Sequence, residues 1–331
     1  MIFIESTSVN PAFNLALEEY VFEVMPKEQE YFILWQNDNT IVVGKHQNTV
    51  EEINIPYMKE KNIHVVRRLS GGGAVYHDLG NVNFTFITNA GDIEKLNLQL
   101  FCHSVVKTLK KLGVTAVVSG RNDITINGQK FSGNAQYIKG GRIMHHGTLM
   151  FDSDLSVVAD ALQVSADKIE SKGIKSVKSR VTNIRPHLQE DVDLEVFKAV
   201  LRSNMIDGDN VSPYQLKEQE IKEIEKIQQL RYDTWEWNYG KSPQYQIQKS
   251  RRIEGFGKIQ VSMDVEGGII KNFATNGDYF GDGVTQGLLD RIIGCRLEQE
   301  ALERALDGFN LDICYSHLDT QVFCNILLAI E

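Results

Sequence analysis

Two segments of this 331-residue sequence carry residue types whose spacing could do chemistry: a lysine set in a hairpin and three glycines behind two arginines. In the first, Asn122 to Gln136, Asn127-Gly128 is a strong signal for a two-residue turn with positive φ at both positions. That turn predicts the pairs Ile126 with Gln129, Thr125 with Lys130, Ile124 with Phe131 and Asp123 with Ser132. Ile124, Ile126 and Phe131 then face a core, while Asp123, Thr125, Lys130 and Ser132 share the other face. A carboxylate, two hydroxyls and an ammonium so close together are either a solvated face with a surface ion pair or a site. The small residues Ser132 to Ala135, which would let a ligand approach the backbone, favour a site.

The second segment runs from Arg67 to Asp78. Gly71, Gly72 and Gly73 remove three side chains in a row, so the backbone can curl and aim N–H groups at an anion. Arg67 and Arg68 stand just before them, and a guanidinium can hold a carboxylate or phosphate in bidentate fashion. The segment lacks the GK[ST] ending of a P-loop and the strand–GxGxxG–helix order of a dinucleotide fold. A flexible surface turn is the plain alternative; the flanking arginines and Tyr76-His77-Asp78 favour an anion or nucleotide site.

His145 and His146 fall on opposite faces if their segment is a strand, with Gly147 opening space beside them. One lines a pocket or both are structural; no carboxylate or cysteine spacing completes a metal site. Lys172, Lys175, Lys178, Arg180 and Arg185 form a basic loop, the place where this chain could meet a polyphosphate or an acidic partner. Cys102, Cys295, Cys314 and Cys324 make no CxxC pair and adjoin neither chemical segment, so a thioester mechanism has no evident nucleophile.

These side chains need elements to hold them. Asn10 caps a first helix with Pro11 in its first turn. Extended segments follow at Tyr31–Trp35, Thr40–Val43 and Ile63–Arg67, and Asn81–Thr88 alternates as a half-buried strand. Leu96–Leu112 reads as a helix ending at Gly113, and Pro213–Leu230 as a charged helix before the aromatic stretch WEWNYGKSP. Beyond Gln244, Gly257–Val265 and Ile269–Thr275 read as an antiparallel pair, followed by three helices. The expected domains are therefore 1–244, mixed α+β, and 245–331, a smaller α/β unit. The net charge of −9 disfavours nucleic acid as a partner. No apolar run approaches the ~18–20 residues of a membrane span, and no signal peptide is read, so the expected setting is the cytoplasm.

RRLSGGGAVYHDLGN, NDITINGQKFSGNAQ, HHGTLMFD and KGIKSVKSRVTN, in this order, resemble the lipoate–protein ligase A family over nearly the whole chain. The resemblance implies a biotin/lipoyl ligase-like α+β domain, a mixed sheet with flanking helices, plus an accessory C-terminal domain. It implies that ATP and lipoate give lipoyl-AMP, whose acyl group passes to a lysine of a lipoyl domain. The carriers would be 2-oxoacid dehydrogenase E2 subunits and the glycine cleavage H protein. By the same likeness Arg68, Ser70, Gly71, Gly72, Gly73, Ala74, Val75, Tyr76 and Arg180 would bind the nucleotide and adenylate. Lys130 would be catalytic and touch both lipoate and phosphate, His146 would face lipoate, and Asp123 would hold Mg²⁺. The strand faces around Val82–Phe86 are candidates for an apolar tunnel for the acyl tail. An octanoyl transferase of the same fold and a non-catalytic binder of nucleotide or lipoyl domains are the alternatives.

Overall fold

The computed structural model describes residues 1–90, 98–120, 122–162, 180–206, 212–239, 247–266 and 268–328. Contacts divide the chain into two compact units. The first comprises Met1–Val43, Val50–Arg68 and Ala74–Gly240, the second Gly44–Thr49, Leu69–Gly73 and Lys241–Glu331. The expected cut near Gln244 lies outside the described residues, as do Lys172, Lys175 and Lys178. Among the described residues no helix is long and apolar enough to cross a membrane.

The strands of the first unit are β1 (Ile2–Glu5), β2 (Tyr31–Trp35), β3 (Thr40–Val43), β4 (His64–Arg67), β5 (Val75–His77), β6 (Asn81–Asn89), β7 (Val117–Ser119), β8 (Asp123–Ile126), β9 (Gln129–Lys139) and β10 (Arg142–Met150). Seven form a mixed sheet in the order β1-β2-β6-β10-β9-β8-β7, parallel only between β1 and β2. The other three form a small sheet, β4-β3-β5. Helix α1 (Pro11–Glu23) starts as expected, with the Asn10 side chain accepting from the amides of Ala12 and Phe13.

One face of the large sheet is apolar. Phe32, Leu34, Val82, Phe84, Phe86 and Leu149 pack against Cys102, Val105 and Leu109 of the helix Leu98–Lys111 and Phe197 and Leu201 of the helix Leu194–Met205. Burying each large apolar side chain contributes roughly 1.5–3 kcal/mol. This corrects two expectations. Val82, Phe84 and Phe86 belong to the main core and offer no tunnel for an acyl tail. Strand β6 is not half-buried either: Asn83 and Thr85, on its opposite face, are 1% and 0% exposed. The reason is α1, which reaches that face and hydrogen-bonds Thr85 through Glu18.

The lysine hairpin turns at Asn127 and Gly128, with φ of 51° and 80° as the turn requires. Its register follows expectation for Ile126↔Gln129 and Thr125↔Lys130, then slips, pairing Ile124 with Ser132 and Asp123 with Gly133. Phe131 is the extra residue of a β-bulge. Without the bulge, Ser132 would sit on the polar face; with it, Ser132 is buried and accepts from Asn134 Nδ2 at 3.2 Å. The space expected at Gly147 is filled: a Cβ there would lie 2.3 Å from Asn134 Oδ1 and 2.6 Å from the Phe84 ring.

In the second unit the expected pair, β12 (Gly257–Glu266) and β13 (Ile269–Gly277), is joined by an unforeseen strand, β11 (Ile247–Ile253). Its charged residues hide the apolar alternation that would have announced it. The helices Gln286–Ile292, Gln299–Leu306 and Thr320–Leu328 bury Leu288, Ile292, Leu302, Leu306 and Phe323 with Ile259, Val261 and Met263 of β12.

Gly147→Ala is expected to cost about 1–3 kcal/mol through overpacking. The urea-unfolding midpoint measures it, and a wild-type midpoint would contradict the close fit.

Candidate active site

The face of the large sheet opposite the core carries a row of polar residues. The register pairs Trp35 with Asn83, Thr85 with His146, and Asn83 with Thr148, so these side chains share one face. Glu18 of α1 lies over them, 1% exposed. Its carboxylate accepts from the Thr85 hydroxyl and lies 3.0 Å from His146 Nδ1. The Trp35 indole N–H donates to Thr85 Oγ1 at 2.9 Å. A buried carboxylate persists only with such partners.

Arg68 and His77 join this group. The Arg68 guanidinium donates to the Val42 carbonyl at 3.1 Å, and burial lowers its pKa to about 10, against the attraction of Glu18. It remains a cation at neutral pH. His77 is 3% exposed, and burial, with Arg68 and His146 nearby, pushes its pKa down to about 3. Its Nδ1 faces the amide nitrogens of Asn37 at 3.2 Å and Asn83 at 3.4 Å, so the neutral ring carries its proton on Nε2. That N–H has no hydrogen-bond partner among the described residues. A buried donor without a partner costs about 1–3 kcal/mol, a cost that a ligand acceptor would remove.

Lys130 stands further along the same face. Its Nζ lies 2.7 Å from Asp123 Oδ1 and passes over Gly133, where a Cβ would come within 2.9 Å of it. Gly133 in turn donates its N–H to Thr148 Oγ1 at 3.1 Å, which ties the lysine to the row that holds His146. The backbone of Lys130 is held from outside the hairpin. Its N–H donates to the Arg180 carbonyl at 2.7 Å, and its carbonyl accepts from Thr182 at 2.9 Å. Arg180 is thus fixed beside Lys130, bringing together two residues that are fifty apart in sequence. Asp123, the expected magnesium ligand, is this lysine's ion-pair partner. No cluster of three potential metal ligands exists among the described residues.

The remaining expected residues divide. Arg67 faces away from Arg68: it is fully buried, and its Nε donates to the Trp237 carbonyl at 2.8 Å. Tyr76 and Ala74 pack in an apolar cluster with Ile41 and Met58, and the Tyr76 hydroxyl donates to Asn39 Oδ1 at 3.0 Å. Val75 pairs with Val42. Ser70, Gly71, Gly72 and Gly73 lie in the second unit. There the Ser70 carbonyl accepts from Lys45 at 2.8 Å, and the Gly72 N–H, at φ 90°, points to the Tyr279 carbonyl at 3.4 Å. Gly71 is a close-packing glycine, since a Cβ would meet that same carbonyl at 2.3 Å. Arg185, at the end of the basic loop, is engaged on the surface by Asp152 at 2.8 Å and Asp191 at 2.9 Å.

His145 is structural. Its ring stacks on Phe84 at 5.9 Å, Nε2 donates to Asn134 Oδ1, and burial lowers its pKa to about 3. Sequence reasoning missed Glu18, Trp35, Asn83 and Thr85. The signals were there: an acid within a helix of buried residues, and Asn and Thr alternating with apolar residues in NVNFTF.

A buried arginine and a buried neutral His77 beside a row of polar residues that leads to a lysine suit an anionic ligand. The comparisons with known proteins sharpen this. Residues 10–206 match the lipoyl protein ligase A/B catalytic domain and residues 242–327 the bacterial lipoate protein ligase C-terminus. The chain belongs to the lipoate–protein ligase family. The lipoate–protein ligase LplJ of Bacillus subtilis is 43% identical, the match covering 99% of this chain and 100% of the relative. Plasmodium falciparum LipL1 in complex with lipoate superposes with a TM-score of 0.78 at 26% identity, covering 93% of this chain and 94% of that one. A bipartite lipoate–protein ligase from Thermoplasma acidophilum, studied with its E2 lipoyl domain, gives 0.64 at 26% identity, over 74% and 98% of the two chains. A lipoate–protein ligase A bound with ATP gives 0.61 at 25% identity, over 72% and 97%.

Burial of neutral His77 and His145 sets a pH dependence. Their folded pKa values of about 3 lie below the ordinary 6.5, so the unfolded chain takes up protons first as pH falls. Stability is full above pH 6.5 and is lost progressively below it, by roughly 2 kcal/mol per histidine at pH 5. Urea midpoints between pH 7 and 5 should show this fall; a constant midpoint would refute it.

Proposed function

We propose that the chain activates free lipoate with ATP and passes the lipoyl group to a lysine of lipoyl domains, those of 2-oxoacid dehydrogenase E2 subunits and the glycine cleavage H protein. The observation that carries this reading is Lys130. Its ammonium lies on the polar sheet face, and its backbone bonds fix Arg180 beside it. In the first step a lipoate carboxylate oxygen attacks the α-phosphorus, a P–O bond forms, and the bond to the β-phosphate breaks to release pyrophosphate. Negative charge grows on the phosphoryl oxygens, where Lys130 and Arg180 would offset it. In the second step the neutral carrier amine attacks the acyl carbon, the acyl–oxygen bond breaks, AMP leaves with the bonding electrons, and the amine's surplus proton passes to water. Arg68 would hold the acyl carboxylate end, with His146 beside it, and the His77 Nε2–H would donate to the bound ligand. Within the first unit, Ala74, Val75 and Tyr76 would take the nucleotide, as the family resemblance implies.

A magnesium ion bound with ATP would supply charge neutralisation at the phosphates. Asp123, whose carboxylate faces the Lys130 ammonium, would be its single protein ligand among the described residues.

The lipoate, ATP and E2 lipoyl domain found with the relatives support this reading. A thioester route has no support in the first unit: Cys102, its one cysteine, is fully buried and its thiol is pushed up to about 12. All four cysteines are free thiols, which suits the reducing cytoplasm where we place the reaction.

Purified protein with lipoate and ATP should release pyrophosphate and label an E2 lipoyl domain. Lys130→Ala should lower lipoate-dependent pyrophosphate release by about 100-fold or more with an unchanged melting temperature. Wild-type activity in that variant would overturn the reading in favour of a binding protein. ATP-independent transfer from octanoyl carrier protein would overturn it in favour of a transferase.

A further inference from the structure

We propose that Trp237 and Asn238, in the aromatic stretch to which the reaction assigns no task, are positioning residues for Arg68. They act by closing the open edge of strand β4. In the sheet β4-β3-β5, β4 has a strand neighbour on one side only. On the other side the peptide groups of Arg67 are met by two side chains. The Arg67 N–H donates to Asn238 Oδ1 at 2.9 Å, and the Trp237 indole N–H donates to the Arg67 carbonyl at 2.7 Å. One acceptor and one donor thus do what a fourth strand would do.

The grip is reciprocal. The Arg67 guanidinium donates from Nε to the Trp237 carbonyl at 2.8 Å and from Nη2 to the Asn238 carbonyl at 3.3 Å. The Asn238 amide has one orientation, because Nδ2 donates to the Tyr232 carbonyl at 2.7 Å. The turn itself is fixed by Thr234, whose Oγ1 accepts from the Trp237 N–H at 3.3 Å. Arg67 and Asn238 are buried, so a bond lost here leaves a desolvated group behind.

Arg68 is the next residue. Its N–H donates to the Val43 carbonyl at 3.0 Å and its Nη1 to the Val42 carbonyl at 3.1 Å, both on β3. The peptide between Arg67 and Arg68 is therefore held from both sides, by the Trp237–Asn238 turn outside and by β3 inside. Loosening the outer hold frees the strand end that aims the Arg68 guanidinium, and sub-ångström misplacement of such a group weakens its bonds to an anion. A lipoate carboxylate or adenylate would bind less tightly for it, while Lys130, held by residues 180 and 182, keeps its own place.

This inference rests on the reading above that Arg68 holds the acyl substrate. Its test uses full-length Trp237→Phe, which removes only the indole N–H and keeps a ring under Arg231, together with Asn238→Ala. Lipoate-dependent pyrophosphate release is measured beside wild type, with melting curves fixing a temperature at which each protein is folded. The expected result is a KM for lipoate raised about tenfold, or about 1.4 kcal/mol, with kcat within twofold. A merely structural role would lower kcat with the active fraction and leave KM alone; that result, or wild-type values of both, overturns the proposal. Should Asn238→Ala not fold, Trp237→Phe alone decides. If wild type itself shows no lipoate-dependent release, the functional reading fails, and the positioning claim falls with it.

Discussion

The carboxylate of Glu18 is the constraint around which the first unit is arranged. At 1% exposure its oxygens need donors from the protein, and α1 delivers them where Thr85 and His146 stand opposite each other on β6 and β10. That demand fixes which residues of two strands must be polar, and it keeps α1 pressed to the sheet. Where the helix covers that face, Asn83, Thr85 and His146 are desolvated. Arg68 and His77 then sit in low dielectric, where each charge or N–H counts for more than it would in water.

The sheet thereby separates two tasks. Its apolar face, filled by Phe32, Phe84 and Phe86 and two helices, supplies the stability. Its polar face runs from Trp35 and Asn83 to Thr148 and Gly133, with Lys130 at the far end. The overall charge of −9 says little about this face. Two cations on this side of the unit are held in place, Arg68 by β3 carbonyls and Lys130 by the bulged hairpin.

Local patterns made much of this legible. The Asn10-Pro11 helix start, the Asn127-Gly128 turn and the positions of the principal strands follow from residue chemistry within a few positions of each other. The residues that escaped depend on partners far away. Glu18 stands out only once Thr85 and His146 are beside it, and the Phe131 bulge lies next to a lysine whose backbone bonds outward to residues 180 and 182. Gly147 looked like an opening, but its space is taken by Asn134 and Phe84, which no neighbouring residue announces. Arg67 and Arg68 read as equals in sequence, yet successive side chains on a strand face opposite ways, so Arg67 binds the Trp237 carbonyl while Arg68 turns to the Val42 carbonyl of β3.

The outward bonds of Lys130 have one more consequence. Arg180 and Thr182 grip its backbone from outside, while Thr125 and Asp123 hold it from within the hairpin. The place of the ammonium is thus set jointly by two stretches of chain some fifty residues apart.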